Sequence, residues 1–67
     1  MNAINLKFIK DMRIQNNLTL MQMSEELGFK NASTYLKYEN GEYAFKAEML
    51  PILAKVFNCD MANFFNH

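Results

Sequence analysis

The sequence predicts a single all-α domain of five short helices over residues 1–67. Apolar residues recur at steps of three and four along most of the chain, which is the periodicity of helices with one buried face. One proline and two glycines interrupt this pattern, and no stretch alternates as a strand does. A hydrophobic content of 51% is enough to fill one core without a disulfide or a metal.

The first two predicted helices have recognisable ends. The first covers about residues 6–16, with Asn5 placed to cap its amino end. The second begins after Thr19, and Gln22 lies three residues further on, which is the spacing of a capping box. Gly28 can adopt the left-handed conformation that closes a helix, so the second helix ends there.

The third predicted helix follows after a short turn. Asn31 is a favourable N-cap, the helix extends to Asn40, and Gly41 stops it. Tyr35 and Tyr38 lie three residues apart and are expected to face the core. A turn this short makes the second and third helices cross steeply, so that one face of the third helix points outward.

The remaining sequence predicts two more helices after an irregular segment at 42–48. Pro51 belongs in the first turn of a helix because it lacks an N–H, so the fourth helix covers about residues 49–58. Asp60 can cap a last helix at 61–65, which turns an aromatic side chain inward.

Composition argues against several functional classes. Cys59 is the only cysteine and His67 the only histidine, so no zinc-binding spacing, disulfide or Cys–His nucleophile is expected. We therefore expect neither enzymatic activity nor a cofactor or small-molecule ligand. No apolar run approaches the length of a membrane span and no signal-peptide pattern is seen, so we expect a cytoplasmic protein.

Four segments together resemble a known family. They are IKDMR (9–13), LTLMQMSEELG (18–28), TYLKYENG (34–41) and LPILAKVF (50–57). In this order and spacing the chain resembles, over about residues 6–65, the repressor-type helix-turn-helix family of lambda repressor, Cro and the xenobiotic-response-element regulators. The resemblance implies a lambda-repressor-like fold whose helix at about 31–40 enters the major groove of double-stranded DNA.

The resemblance also assigns the residues that would read bases, which are Ala32, Ser33, Leu36 and Lys37. Their chemistry is suitable for this role. Lys37 favours the O6 and N7 acceptors of guanine, Ser33 can pair with several bases, and Ala32 or Leu36 can pack on a thymine methyl group.

Phosphate or flanking contacts are expected at six further positions. These are Thr19, Leu20, Lys30, Asn31, Asn40 and Lys46. Leu20 departs from the glutamine common in the family, which removes one expected hydrogen bond. Arg13 and Glu39 match a pair that in the family joins the first helix to the recognition helix, and we assign them a structural role.

A Cro-like repressor is the function that this resemblance implies. We expect a sequence-specific transcriptional regulator that binds a palindromic operator as a homodimer, with two recognition helices in successive major grooves. Met61, Ala62 and Phe65 are candidates for the dimer contact. Because the sequence predicts a single short domain, we expect an origin in a phage or mobile element.

The alternative is a small helical protein-interaction module of the antitoxin or anti-repressor type, which would use the same face to bind a protein partner. The formal net charge is zero, which is unusual for a DNA-binding domain. Leu20, Leu36 and Glu48 also reduce the polar or basic character of the surface expected to meet DNA. Retention on heparin and a gel shift at low salt separate the two hypotheses.

Overall fold

The computed structural model describes residues 3–65, and in that range the chain folds into helices. The α-helices are α1 (Leu6–Gln15), α2 (Leu20–Leu27), α3 (Ala32–Glu39) and α4 (Leu50–Phe57). Two 3-10 helices, Ala47–Met49 and Met61–Phe64, precede and follow α4. The predicted all-α architecture is confirmed, although the fifth helix is a 3-10 helix and the other 3-10 helix begins at the end of the segment predicted to be irregular. None of the described helices is both long and apolar enough to cross a membrane.

Side chains cap the first two helices as predicted. The Asn5 side chain accepts a hydrogen bond from the backbone N–H of Phe8 at 3.0 Å. At α2 the capping box is complete, since the Gln22 N–H donates to Thr19 Oγ1 at 3.0 Å and the Thr19 N–H donates to Gln22 Oε1 at 2.8 Å. These bonds satisfy amide groups that have no partner within the helix.

At two other helices the predicted residue is at the N-cap position, but the predicted side-chain hydrogen bond is not formed. Asn31 and Asp60 occupy the N-cap positions of α3 and of the last 3-10 helix, but neither side chain accepts a capping hydrogen bond. At Asn31 the backbone is used instead, because its carbonyl accepts hydrogen bonds from Ser24 and from the Thr34 N–H.

A left-handed residue follows each of the four α-helices, and after α3 it is Gly41 with φ of 88°. Gly28 ends α2 with φ of 82°, as its sequence position predicts. Asn58 ends α4 with φ of 53°, and Asn17 follows α1 with φ of 57°. Asparagine tolerates this conformation better than most residues but less easily than glycine.

The core lies between all four α-helices and is rich in aromatic residues. Its buried apolar members are Ile9, Met23, Tyr35, Tyr38, Phe45, Met49, Leu50, Leu53, Phe57 and Phe64. They include both tyrosines of α3, which the sequence predicts to face the core. Phe45, from the loop after α3, also lies in the core.

The two ends of the described chain meet across this core. Ile4 and Phe65 form an isolated antiparallel bridge, and the Asn5 N–H donates to the Phe64 carbonyl at 2.6 Å. Phe64 is fully buried and packs edge-on against Phe8 at 5.8 Å between ring centroids. These contacts attach the last 3-10 helix to α1, and α1 in turn contacts α3.

Candidate nucleic-acid interface

The turn between α2 and α3 is held from inside. Ser24 is fully buried, and its hydroxyl donates to the Asn31 carbonyl at 2.8 Å, directly before α3 begins. Within the turn, the Phe29 ring stacks on Tyr38 at 5.2 Å with an interplanar angle of 8°. A hydrogen bond and a ring contact thus fix the direction in which α3 leaves the turn.

One face of α3 is committed to the interior. Tyr35, Tyr38 and Glu39 are its buried residues, which confirms the inward orientation predicted for the two tyrosines. Tyr38 also contacts Phe45 from the following loop at 5.4 Å between ring centroids. Since the buried face is large and aromatic, the helix cannot rotate about its axis without exposing core surface.

A buried ion pair joins α3 to α1. Arg13 Nε and Nη2 donate to the two carboxylate oxygens of Glu39 at 2.9 and 3.1 Å, with side-chain exposures of 15% and 2%. Arg13 Nη1 also donates to the Leu18 carbonyl in the loop before α2 at 3.1 Å. The hydrogen bonds that Arg13 donates to Glu39 raise the pKa of Arg13 above its ordinary value. The pairing predicted for these two residues is present in the structure.

The Tyr35 hydroxyl lies near this pair. It is buried and has no hydrogen-bond partner among residues 3–65. Burial raises the pKa of Tyr35 well above its ordinary value, and the negative charge of Glu39 adds to the increase. The phenol is therefore neutral at physiological pH, so the charges beneath α3 are those of Arg13 and Glu39.

The opposite face of α3 carries the candidate base readers. Ser33 and Lys37 are exposed, while Ala32 and Leu36 are half-buried. The structure thus places the four predicted residues on one short helix, with a hydroxyl and an ammonium as its most accessible polar groups. Their contact with DNA stays a prediction.

The residues predicted to contact phosphate differ in how exposed they are. Thr19, Lys30, Asn31, Asn40 and Lys46 are exposed. Leu20, in contrast, is half-buried and packs against the core, so much of its side chain serves the packing of α2.

The basic side chains of this surface are not held in ion pairs within residues 3–65, although exposed Glu42 and Glu48 follow α3 in the same segment as Lys46. Among residues 3–65 the ion pairs are Lys7–Asp11, an exposed pair within α1, and Arg13–Glu39. The lysines at positions 30, 37 and 46 therefore form no ion pair in the described part of the chain. A zero net charge is compatible with three cations that are available to an external partner.

Sequence reasoning did not find one contact of Lys37. Its ammonium lies over the ring of Tyr43, 5.5 Å from the centroid. Tyr43 lies in the loop after α3 and is 46% exposed. The two residues are six apart and separated by a turn, so helical periodicity could not have paired them.

The remaining candidate positions lie elsewhere. Met61 and Ala62 are exposed on the last 3-10 helix, whereas Phe65 is half-buried against the core. Cys59 is half-buried as well, and burial raises the pKa of its thiol. In the described range no group of acidic, cysteine and histidine side chains is arranged to hold a metal ion.

Comparison with known families agrees with this geometry. A family model described as a helix-turn-helix domain matches residues 6–66, which is most of the chain. No curated protein and no solved structure matched the sequence. The matched region contains α1 to α4, the turn between α2 and α3, and the α1–α3 ion pair. The chain therefore belongs to the helix-turn-helix domain family and is of the repressor type.

Proposed function

We propose that this protein is a sequence-specific DNA-binding transcriptional regulator that inserts α3 into the major groove. The observation that carries this proposal is the division of α3 into two faces. Tyr35, Tyr38 and Glu39 anchor one face in the core, while Ser33 and Lys37 are exposed on the other. A rigidly held helix with an accessible polar face is what direct readout of bases requires.

The exposed side chains suggest how bases are read. Lys37 supplies an ammonium that can donate to guanine O6 and N7, and the Ser33 hydroxyl can donate or accept. Ala32 and Leu36 are half-buried, so their accessible parts are methyl groups suited to a thymine methyl. This combination favours a mixed site over a purely G·C-rich one.

Contacts to phosphate position the helix. Thr19 lies exposed at the amino end of α2, and Asn40 lies exposed where α3 ends. Lys30 and Lys46 are exposed before and after α3 and supply charge. Because few cations are involved, we expect modest affinity for random DNA that decreases steeply as salt increases.

We further propose a Cro-like repressor that binds a palindromic operator as a homodimer. Two-fold symmetry would place the two α3 helices about 34 Å apart, in successive major grooves. Met61 is 40% exposed, and together with Ala62 and the accessible part of Phe65 it supports the last 3-10 helix as the dimer contact. A cytoplasmic location and an origin in a phage or mobile element belong to the same proposal.

Selection of bound duplexes from a random pool tests the proposal. We expect an enriched sequence with approximate two-fold symmetry. Lys37→Met should then weaken binding to it by about 5- to 150-fold, corresponding to about 1–3 kcal/mol for a lost base contact. Lys55→Met removes an exposed cation from α4, outside the proposed surface, and is the matched control. Equal affinity for selected and random duplexes would contradict sequence-specific recognition.

A second candidate, a protein-interaction module, is favoured by a groove away from α3. Leu18, Ile52 and Val56 line it, with Glu26 and Lys55 as its charged members. Ile52 is 37% exposed, so apolar surface is accessible there. If the protein enriches no duplex and is not retained on heparin at low salt, this candidate replaces DNA binding.

A further inference from the structure

We propose that Tyr43 is a positioning residue that holds the Lys37 ammonium in place for contact with a base. The inference rests on the proposed function, because it assigns Tyr43 a role in DNA recognition through Lys37. It adds a residue outside the recognition helix to the determinants of affinity.

The loop after α3 returns to Lys37 through both backbone and side chain. The N–H groups of Glu42 and Tyr43 donate to the Lys37 carbonyl at 2.9 and 3.2 Å. The Tyr43 ring then lies beneath the Lys37 ammonium, 5.5 Å from Nζ to the ring centroid, which is within the range of a cation–π interaction. The two backbone bonds fix where the ring lies relative to the lysine.

The ring itself is supported by the core. Tyr43 meets Tyr38 edge-on, with the centroids 5.4 Å apart and an interplanar angle of 73°. Tyr38 is only 9% exposed and is stacked on Phe29 from the turn before α3. Although Tyr43 is 46% exposed, its ring thus rests on a buried aromatic residue of the recognition helix.

This support matters because a lysine side chain is flexible. An ammonium on four freely rotating carbons loses conformational entropy when it is fixed against a base. The Tyr43 ring restricts the lysine before DNA arrives, while the face of the ammonium turned away from the ring keeps its donors. An exposed cation–π contact corresponds to a factor of about two to five in affinity.

Two measurements on the full chain test the inference. The first is the NMR shift of the Lys37 ε-methylene protons, which the ring moves upfield in the wild type and in Tyr43→Phe but not in Tyr43→Leu. The second is affinity for a duplex that the wild type selects from a random pool. We expect Tyr43→Leu to weaken binding about two- to fivefold, Tyr43→Phe to bind as the wild type does, and Tyr43→Leu to have no further effect in a Lys37→Met background.

The outcomes separate this inference from the proposed function. If the wild type selects no duplex, the proposed function fails and the inference fails with it. If it selects one, but the effects of Tyr43→Leu and Lys37→Met are additive, only the inference is overturned. A loss in Tyr43→Phe as large as in Tyr43→Leu would also overturn it, since the hydroxyl would then contact DNA directly. Melting curves of each variant confirm that the compared proteins are folded.

Discussion

Arg13 and Glu39 are 26 residues apart in the sequence, yet the guanidinium donates to both oxygens of the carboxylate at 2.9 and 3.1 Å. The pair connects the back of the recognition helix to α1, and the third bond of Arg13, to the Leu18 carbonyl, adds the loop before α2. Buried pairs of this kind contribute little net stability when complete, but each partner depends on the other. The contribution of Arg13 here is geometric, because its bonds fix α3 relative to α1 and to the loop before α2.

Glu39→Ala should destabilise the protein by about 3 kcal/mol, since it leaves Arg13 largely buried without its carboxylate. Glu39→Gln should cost less, because one acceptor oxygen remains. Urea denaturation followed by circular dichroism measures both. Asp11→Ala removes the exposed pair with Lys7 and should leave the midpoint unchanged. Equal midpoints for Glu39→Ala and wild type would contradict a structural role for the pair.

Ser24→Ala should reduce the free energy of unfolding by about 1 kcal/mol, because the Asn31 carbonyl loses one of its two donors, the one inside the turn. Affinity for a selected duplex should decrease as well, since the start of α3 is then less firmly held. Glu25→Ala, an exposed neighbour on the same helix, is the control for a general effect on α2. A Ser24→Ala protein with wild-type stability would show that the hydroxyl does not clamp the turn.

Asn58 provides a test of backbone conformation alone. With φ of 53° it lies in the left-handed region, where a side chain with a Cβ is disfavoured. Asn58→Ala should therefore lower the free energy of unfolding by about 1 kcal/mol, and Asn58→Gly should be at least as stable as the wild type. Thermal melting compares the three proteins. An alanine variant as stable as the glycine variant would be inconsistent with a left-handed C-cap.

Cys59 should react slowly with iodoacetamide in the folded protein. Burial raises the pKa of its thiol and the neighbouring Asp60 adds to the increase, so less of the reactive thiolate is present near neutral pH. The folded protein keeps this proton to a higher pH than the unfolded chain, so the thiol's contribution to stability is lost as pH rises through the folded value. Alkylation rates measured against pH, with and without urea, should give a higher midpoint when folded. Identical midpoints would refute the shift.

The helical elements of this fold could be predicted because their signals are local. Thr19 and Gln22 form their capping box within one turn, and Gly28 adopts its left-handed conformation from its own lack of a Cβ. The predicted caps at Asn31 and Asp60 were wrong since residue type alone does not decide whether a side chain or a backbone group is used. The last helix is a 3-10 helix with Phe64 fully buried, and the apolar spacing of the sequence does not distinguish so short a 3-10 helix from an α-helix.

Within the candidate site, the sequence predicted orientations that helical spacing sets, but not contacts that depend on the tertiary structure. Helical spacing correctly assigned Tyr35 and Tyr38 to the core, and family resemblance supplied the distant pairing of Arg13 with Glu39. The contact of Lys37 with Tyr43 could not be predicted, because it depends on how the chain turns after α3. Ser24 is a small polar residue next to buried Met23, which is a sequence signal for a buried hydroxyl. Its acceptor, the Asn31 carbonyl, is set by the tertiary structure.

The most direct test of the central claim is a titration of the isotopically labelled protein with a short mixed-sequence duplex at low salt, followed by NMR. We predict that the largest amide shifts occur at exposed residues of α3 and at the start of α2, with Ser33, Lys37 and Thr19 among them, and that added salt reverses them. Shifts confined to the groove of Leu18 and Ile52, or no shifts at all, would contradict the account that the exposed face of α3 binds DNA.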